Sequence, residues 1–349
     1  MRLLFVYYLM NDAGSAQDVH NFTRVARQMG HEVAVYGRDP ETPFRLSKEV
    51  RSADAVAFIF EWTTQLRYGG GLDLARILDE VPRHKRIVID CDGAYNDAIS
   101  VEGDYNHRNA ESARRWVEVC DSLSDRIFQP TLHPRRPNVR PFFFHAYDPA
   151  WEQPLDFRNK EYGMVYVGHA KFRYRPLERV LRAIEPLHEK VGRLATVGHG
   201  WDALPPWAKP MGIEDNFFTD PDYLRKMGVE FVQPVPSEEV IGWMSKGLFS
   251  PVIYRPLFRH LKLVTCRTFE TPAAGTLPLF GLDEDYVREI YGDRAVELIL
   301  PADRAEKKVR DLVTRPDYYA EIVLGIRRHL AEKHSYEARL RELIRIVGG

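Results

Sequence analysis

Short apolar runs alternate with longer amphipathic stretches through the first third of the chain. Runs rich in β-branched and aromatic residues predict strands, and apolar residues three or four apart predict helices. The predicted strands are residues 2–9, 31–37, 54–61 and 86–90. Between the first two, Val19 and Phe22 have helical spacing and Gly30 ends the helix; two more helices are predicted at residues 71–78 and 110–123. Strands that alternate with helices predict a parallel sheet covered on both faces.

A proline-rich stretch, residues 130–154, interrupts this alternation. Proline removes a backbone donor and favours extended chain, so we place the connection between two domains here. Further strands are predicted at residues 163–168, 193–198, 229–233, 248–254, 276–280 and 298–300, and further helices at residues 177–187, 238–246, 266–274, 285–291 and 317–347. The sequence therefore predicts an α/β protein of two Rossmann-like domains, at about residues 1–150 and 151–330.

The composition is that of a folded protein without a strong net field. Hydrophobic residues make up 44% and charged residues 28% of the 349, close to the globular average. Because 49 Lys and Arg stand against 50 Asp and Glu, we predict no nucleic-acid partner. No apolar run reaches the roughly 20 residues of a membrane-spanning helix, and no small-residue cleavage site follows the first apolar run. We therefore expect a cytoplasmic protein with, at most, peripheral contact to a membrane.

Cysteine spacing and glycine motifs argue against several function classes. Cys91, Cys120 and Cys266 are odd in number and far apart, so we predict neither a disulfide framework nor a zinc site. The loop after the first predicted strand has neither the Gly-Lys-Ser/Thr ending of a phosphate-binding kinase loop nor the G-x-G-x-x-G of a dinucleotide site. A kinase and a dehydrogenase are therefore disfavoured.

The most informative window is residues 262–279, where polar residues lead into a short helix with one acid, Glu270, before a small-residue turn and an apolar strand. Open parallel sheets bind ligands at the carboxyl ends of their strands, where helix N-termini present N–H groups to phosphate. A carboxylate there can accept both ribose hydroxyls of a nucleotide while the helix end faces its diphosphate. The alternative is an ordinary surface glutamate stabilised by the helix dipole.

Basic residues follow two other predicted strands. Residues 168–176 place Lys171, Arg173 and Arg175 between a strand and a helix, and Arg255 follows a later strand. Cations in these places can stabilise the charge that develops on a departing diphosphate. The alternatives are a solvated basic turn and a structural arginine.

In the first domain, residues 90–96 place Asp90, Asp92 and a glycine turn at a strand end. Asp92 can orient or deprotonate an acceptor hydroxyl, and Tyr95 can stack on a sugar face. The alternative is an Asx-type turn that satisfies its own backbone. The two acids are too close along the chain to flank a substrate as a glycosidase pair.

Three segments resemble one family. Residues 267–276, Arg-Thr-Phe-Glu-Thr-Pro-Ala-Ala-Gly-Thr, resemble the nucleotide-sugar signature of GT-B glycosyltransferases, particularly the CgeB-like branch of glycosyl transferases group 1. Residues 334–340, His-Ser-Tyr-Glu-Ala-Arg-Leu, resemble the closing helix of that branch, and residues 30–33, Gly-His-Glu-Val, resemble the N-terminal domain of the wider family. The resemblance implies two domains that face each other across a cleft, with a closing helix, residues 331–349, packed on the first.

The resemblance also implies roles for individual residues. Glu270 would bind the ribose hydroxyls, and the other candidates for contact with the donor are Thr268, Thr271, Ala274, Gly275, Gly168, Lys171, Arg173, Arg255, Gly14 and Ser15. Asp92 and His20 are the catalytic candidates, and His107 is a further possible contact to the sugar; structural histidines are the alternative. Lys262 stands where many retaining relatives carry a second glutamate, so the resemblance leaves the donor open.

Asp90-Cys91-Asp92 matches the metal-binding Asp-x-Asp motif of the other glycosyltransferase fold. It lies in the domain that the family does not use for the donor, so no metal is predicted. We predict a metal-independent, retaining transferase that moves a sugar from a nucleoside-diphosphate sugar to a hydroxyl of a glycan, lipid-linked or small-molecule acceptor, with no other cofactor. The alternatives are a nucleotide-sugar epimerase or phosphorylase, and a non-catalytic assembly protein of a spore or envelope layer.

Overall fold

Two parallel β-sheets, one in each half of the chain, form the framework of the computed structural model. The residues it describes are 1–7, 14–36, 50–60, 74–105 and 109–348. Within these ranges no helix has the length and apolar character needed to cross a membrane.

The described residues of the first half form eight short strands and three α-helices. The strands are β1 (Arg2–Val6), β2 (Glu32–Tyr36), β3 (Ala55–Phe60), β4 (Arg86–Asp90), β5 (Ser100–Val101), β6 (Asp104–Tyr105), β7 (Ile127–Gln129) and β8 (Val139–Pro141). The helices are α1 (Gly14–Gln28), α2 (Leu74–Glu80) and α3 (Ala110–Leu123). Six strands form a parallel sheet in the order β2-β1-β3-β4-β7-β8, and β5 and β6 form a separate antiparallel hairpin.

Apolar residues on both faces of this sheet are buried, which explains the continuous apolar runs in the sequence. In β1, Leu3 and Phe5 belong to the core cluster on one face, and Leu4 and Val6 belong to the cluster on the other. All six residues of β3 are buried. The four strands predicted for this region are confirmed, within a few residues at their ends.

The proline-rich stretch contains more structure than the predicted connection at 130–154. β8 lies inside it and pairs with β7 at the edge of the first sheet. An edge strand tolerates Pro141 because one of its sides forms no ladder. β7, which precedes the stretch, is too short an apolar run to be recognised from the sequence.

The second sheet is parallel and contains five strands. They are β9 (Tyr162–Val167), β10 (Leu194–Val197), β11 (Val229–Val232), β12 (Gly247–Val252) and β13 (Leu277–Phe280), in the order β11-β10-β9-β12-β13. The helices of this half are α4 (Tyr174–Ile184), α5 (His188–Val191), α6 (Pro221–Lys226), α7 (Val240–Ser245), α8 (Pro256–His260), α9 (Cys266–Ala273), α10 (Glu284–Tyr291) and α11 (Ala305–Thr314).

The strand predicted at residues 298–300 is wrong. A 3-10 helix, Asp293–Leu298, occupies the start of this segment. Only an isolated bridge between Phe280 and Ile299 follows, supported by a hydrogen bond of 2.8 Å from Leu300 N–H to Phe280 C=O. The apolar run reflects burial beside β13 and not membership of the sheet.

The C-terminal segment forms two helices, α12 (Pro316–His334) and α13 (Tyr336–Gly348), separated by the extended residue Ser335. α13 packs on α1, and Tyr336, Leu340 and Leu343 join the core cluster of the first domain. The ring of Tyr336 meets that of Phe22 edge-on at 5.4 Å. The expected crossing of the closing helix onto the first domain is confirmed.

Loops at the carboxyl ends of both sheets meet at the junction of the two domains. A Cβ atom on Gly93, just after β4, would lie 2.7 Å from the side chain of Leu261, just after α8. Val264 N–H donates to the carbonyl of Pro130 at 2.6 Å. This junction is where ligands of open parallel sheets are expected.

Candidate functional site

Four cationic side chains converge at the junction. Lys171 and Arg173 lie on the loop after β9, Arg255 follows β12, and Arg267 is in the first turn of α9. Burial, together with the positive charges of Arg255 and Arg173, lowers the pKa of Lys171 to about 8. Burial, together with the charges of Arg255 and Arg267, also lowers the pKa of Arg173. Cations held this close are stabilised by a polyvalent anion.

The loop that carries Lys171 and Arg173 has a shape that depends on glycine. A Cβ atom on Gly198, just after β10, would lie 2.5 Å from the carbonyl oxygen of Gly168. The indole N–H of Trp201 donates to the same carbonyl at 2.9 Å. The segment after β10 therefore braces the cationic loop, and this close approach requires glycine at position 198.

Phe172 lies between Lys171 and Arg173 and has a positive φ of 58°. Residues with bulky side chains rarely adopt this left-handed conformation. The backbone N–H of Phe172 donates to the carbonyl of Asn216 at 2.7 Å, which helps to hold it.

Arg255 bridges the two domains. Its Nε donates to Asp104 Oδ2 at 2.8 Å, and its Nη2 donates to Asp104 Oδ1. The guanidinium carbon lies 4.4 Å from the ring centre of Phe172 and 4.9 Å from that of Phe258. Arg255 is thus beside Lys171, as the predicted site requires, but much of its hydrogen-bonding capacity is directed at Asp104.

Glu270 is almost fully buried on α9, so it is not the ordinary surface glutamate of the alternative interpretation. Its Oε2 lies 2.8 Å from Arg267 Nη1 but has no hydrogen-bond partner of suitable geometry. Burial lowers the pKa of Arg267, but the negative charge of Glu270, together with smaller contributions from Cys266, Tyr166 and Tyr254, holds it above its ordinary value. A buried carboxylate oxygen that still needs a donor is suited to a ligand hydroxyl.

Two of the predicted donor contacts, Thr268 and Thr271, are fully buried and stabilise α9 itself. Thr265 and Thr268 form a capping box at the start of the helix, and Thr268 Oγ1 also bonds to the Tyr254 hydroxyl. Thr271 Oγ1 donates to Met244 Sδ at 3.7 Å. These hydroxyls are engaged within the protein and fix the helix that carries Glu270.

The Ala274-Gly275 turn lies at the end of α9 opposite to Arg267. The Gly275 N–H donates to Ser245 Oγ at 3.0 Å, and a Cβ atom on Gly275 would lie 2.5 Å from the carbonyl oxygen of Pro154. The glycine therefore allows the interdomain connection to pack closely against the helix end.

On the first-domain side, Asp92 is close enough for its negative charge to raise the pKa of Lys171, against the larger effect of burial. Asp90 is the Asx-turn residue of the alternative interpretation: its carboxylate accepts from the N–H groups of Ala94 and Tyr95 at 3.0 and 2.7 Å. Burial raises the pKa of Asp90 despite these bonds. The ring of Tyr95 is buried, so the expectation that it stacks on a sugar is wrong.

The N-terminal candidates have different environments. Gly14 begins α1, and the hydroxyl of the buried Ser15 pairs with that of Tyr7. His20 is exposed on the second turn of the helix. His107 lies outside the described residues.

A buried polar triad joins three distant segments and is not predicted from the sequence. Asp18 Oδ2 lies 2.7 Å from His145 Nδ1, and the Tyr336 hydroxyl donates to Asp18 Oδ1 at 2.5 Å. The triad connects α1, the interdomain connection and the closing helix. Its members are separated by 127 and 318 residues, so only the tertiary fold brings them together.

The acids of the Asp-x-Asp pattern do not converge on one point, because Asp90 is directed into its own turn. The described part of the chain contains no group of three His, Cys, Asp or Glu side chains arranged to hold a metal ion.

Comparison with known proteins gives a family match and a fold match. The model of a family described as glycosyl transferase-like matches residues 175–345. No curated protein sequence matches the chain. The sequence resemblance to the CgeB-like branch therefore stays a prediction.

Solved structures share the architecture over the full length of the chain. A T4 phage BGT mutant in complex with UDP-glucose is 15% identical, with 99% of each chain covered and a TM-score of 0.57. T4 phage BGT in complex with UDP and Mn²⁺ has the same identity and coverage and a TM-score of 0.55. An α-glucosyltransferase in complex with UDP and a 13-mer DNA containing an HMU base is 12% identical, with 100% of each chain covered and a TM-score of 0.60.

The DNA in the α-glucosyltransferase complex removes support for our expectation of no nucleic-acid partner. A net charge of −1 describes the whole chain and does not exclude a local acceptor surface. The family match over residues 175–345 and the fold shared over the full length support a glycosyltransferase of the GT-B fold.

Proposed function

We propose that the protein binds a nucleoside-diphosphate sugar at the domain junction and transfers the sugar to a hydroxyl, with retention and without a metal ion. The observation that carries this proposal is the pairing of a cation cluster with the buried, hydrogen-bond-deficient carboxylate of Glu270. Four cations this close favour an anionic ligand although Arg255 and Arg267 also have carboxylate partners, and the carboxylate oxygen of Glu270 can accept from a ligand hydroxyl. A nucleoside diphosphate supplies both groups in one molecule.

In this proposal Lys171, Arg173 and Arg267 stabilise the diphosphate. Negative charge builds up on the leaving nucleoside diphosphate as the glycosidic bond breaks, and preorganised cations lower the energy of that transition state. Glu270 accepts hydrogen bonds from the ribose hydroxyls and thereby fixes the nucleotide beside the cations. UDP is the first nucleotide to test because the solved structures of the same fold hold UDP or UDP-glucose.

Asp92 faces this site from the first domain, where an acceptor would bind. We assign it to orienting the acceptor hydroxyl, while an oxygen of the departing phosphate takes the proton of that hydroxyl. This assignment to the phosphate follows the family resemblance. The acceptor is a hydroxyl on a glycan, lipid-linked or small molecule; the likeness to enzymes of DNA adds a modified base to the acceptors to be tested.

A thermal-shift series tests the proposal. UDP, GDP, TDP and CMP and their common sugars are added with and without magnesium, because a ligand that binds only the folded state raises the melting temperature. We expect one nucleoside diphosphate at a hundredfold excess over its Kd to raise it by on the order of 5 °C without metal. The Glu270→Gln variant should lose most of this shift, and Glu289→Gln, at an exposed position, should keep it.

The alternatives give different results in the same assays. If no nucleotide stabilises the protein, the proposal fails and the non-catalytic assembly role gains weight. If the donor sugar is converted without an acceptor, an epimerase or, with free phosphate, a phosphorylase is favoured over a transferase.

A further inference from the structure

Asp104 makes an unusually complete contact across the domain junction. Its side chain has no exposed surface. It accepts hydrogen bonds from Arg255 Nε at 2.8 Å, from Arg255 Nη2 and from the backbone N–H of Leu257 at 3.0 Å. Breaking this buried ion pair costs much free energy, because it would leave a buried charge without its partner. The pair is therefore a fixed joint, unlike an exposed ion pair.

Apolar contacts shield this joint from water. Leu257, Leu261 and Leu263 form one buried cluster, against which Ile99, Val101 and Phe258 pack. The β5–β6 hairpin of the first domain thus docks onto α8 of the second. Asp104 lies next to the turn of this hairpin, and the three leucines form the apolar part of the contact.

The joint reaches the cationic loop through one aromatic ring. The guanidinium of Arg255 lies over the ring of Phe172 at 4.4 Å, a distance typical of a cation–π contact. Phe172 has the strained φ of 58° and separates Lys171 from Arg173. A strained residue persists only where its surroundings hold it, and Arg255 covers the side chain while Asn216 binds the backbone.

We propose that Asp104 is a positioning residue of the diphosphate site, which acts through Arg255 and the ring of Phe172 to hold the Lys171–Arg173 loop. The first domain then completes the donor site of the second, and the diphosphate is left to Lys171, Arg173 and Arg267. The ligand in this inference rests on the proposed function, but the effect on the loop concerns the ligand-free protein.

Hydrogen–deuterium exchange without any ligand tests the effect on the loop. Ala170, Phe172 and Arg173 donate backbone hydrogen bonds that shape it. In Asp104→Asn these amides should exchange roughly tenfold faster than in the unaltered protein. Glu289→Gln is the matched control, since Glu289 also joins the domains, to His133 Nε2 at 2.8 Å, but does so through exposed side chains. Its loop amides should exchange at the original rate.

A second pair of variants keeps the test valid if Asp104→Asn folds poorly. Phe172→Leu retains the Asp104–Arg255 pair and removes the ring that carries its effect to the loop, so the loop amides should again exchange faster. Phe258→Leu removes the other ring under Arg255 and should leave them unchanged. Unchanged exchange in Phe172→Leu, or equal acceleration in both leucine variants, overturns the inference.

Titration with UDP then connects the loop to the ligand. The positioning role predicts about tenfold weaker UDP binding in Asp104→Asn and Phe172→Leu. Simple charge removal predicts the opposite for Asp104→Asn, since it leaves the site more positive. Tighter or equal binding in both variants overturns the link to the diphosphate. Failure of the unaltered protein to bind any nucleotide overturns the proposed function, whereas the ligand-free exchange still decides the effect on the loop.

Discussion

Arg267 Nη1 and Glu270 Oε2 lie 2.8 Å apart within one turn of α9, and both side chains are largely buried. The contact balances charge without giving that oxygen a well-formed hydrogen bond. The carboxylate is therefore oriented by its neighbour and keeps accepting capacity for a ligand. Arg267 in turn joins the cations that face the proposed diphosphate, so in the proposed complex one helical turn would contact both the ribose and the diphosphate.

Glu270→Gln should weaken UDP binding by about 10- to 100-fold, because hydrogen bonds to a charged group are worth roughly 1.5–3 kcal/mol. The sharper measurement compares UDP with its 2′,3′-dideoxy analogue by calorimetry. The unaltered protein should prefer UDP strongly, and Glu270→Gln should not distinguish the two. An undiminished preference in the variant would assign the ribose to another residue.

Lys171 should make nucleotide binding sensitive to pH. Burial and neighbouring arginines lower its pKa to about 8 in the ligand-free protein, so the cation is lost as pH rises through about 8. UDP affinity should hold steady below that pH and fall above it. Lys171→Arg should remove this dependence because arginine stays protonated, and Lys171→Met should bind weakly at all pH values.

Folding stability responds to Lys171 in the opposite direction. The folded-state pKa is lower than the ordinary value, so the folded protein binds fewer protons than the unfolded chain between about pH 8 and 10.4. The contribution of this residue therefore makes the ligand-free protein more stable as pH rises through that window. Chemical denaturation of the unaltered protein and Lys171→Met at pH 7 and 9.5 checks the sign.

Apolar runs predict four of the six strands of the first sheet and all five strands of the second, because these strands are largely apolar. The prediction fails at Ile299, where a buried apolar run does not pair as a strand of the sheet. It also misses β8, an edge strand that contains Pro141. The cationic loop is visible in the sequence because it connects a strand with a helix. Arg255 and Asp104 are 151 residues apart, so their pairing depends on how the domains dock. The Arg267–Glu270 contact, at helical spacing, was accessible to sequence reasoning but was not predicted.

Asp92→Asn should separate chemistry from donor binding. If Asp92 orients the acceptor, kcat should fall by about 10- to 100-fold. UDP affinity should stay equal or improve slightly, since a negative charge near Lys171 is removed. Steady-state kinetics combined with calorimetry checks both values. A large loss of UDP affinity would instead place Asp92 in the donor site.

Tyr336→Phe should destabilise the closing helix. The variant removes the hydroxyl that donates to Asp18 at 2.5 Å in a buried setting, and loss of a hydrogen bond to a charged group costs about 1.5–3 kcal/mol. The melting temperature should fall, and the amides of α13 should exchange faster than those of the second sheet. Tyr318→Phe is the control, because the Tyr318 hydroxyl donates to Glu297 at the same distance on the exposed surface; its melting temperature should not change.

Gly198→Ala tests the support of the cationic loop. The new Cβ would lie 2.5 Å from the carbonyl oxygen and 2.7 Å from the carbonyl carbon of Gly168, and Gly198 has a positive φ of 142°. Because backbone atoms on both sides must shift, we expect a cost of about 1–3 kcal/mol and weaker UDP binding through displacement of Lys171. Gly242→Ala, in α7 with nothing within 4 Å of the new atom, should instead stabilise by about 0.5–1 kcal/mol and leave UDP binding unchanged. Equal behaviour of the two variants would show that the close approach of the loops after β9 and β10 does not shape the site.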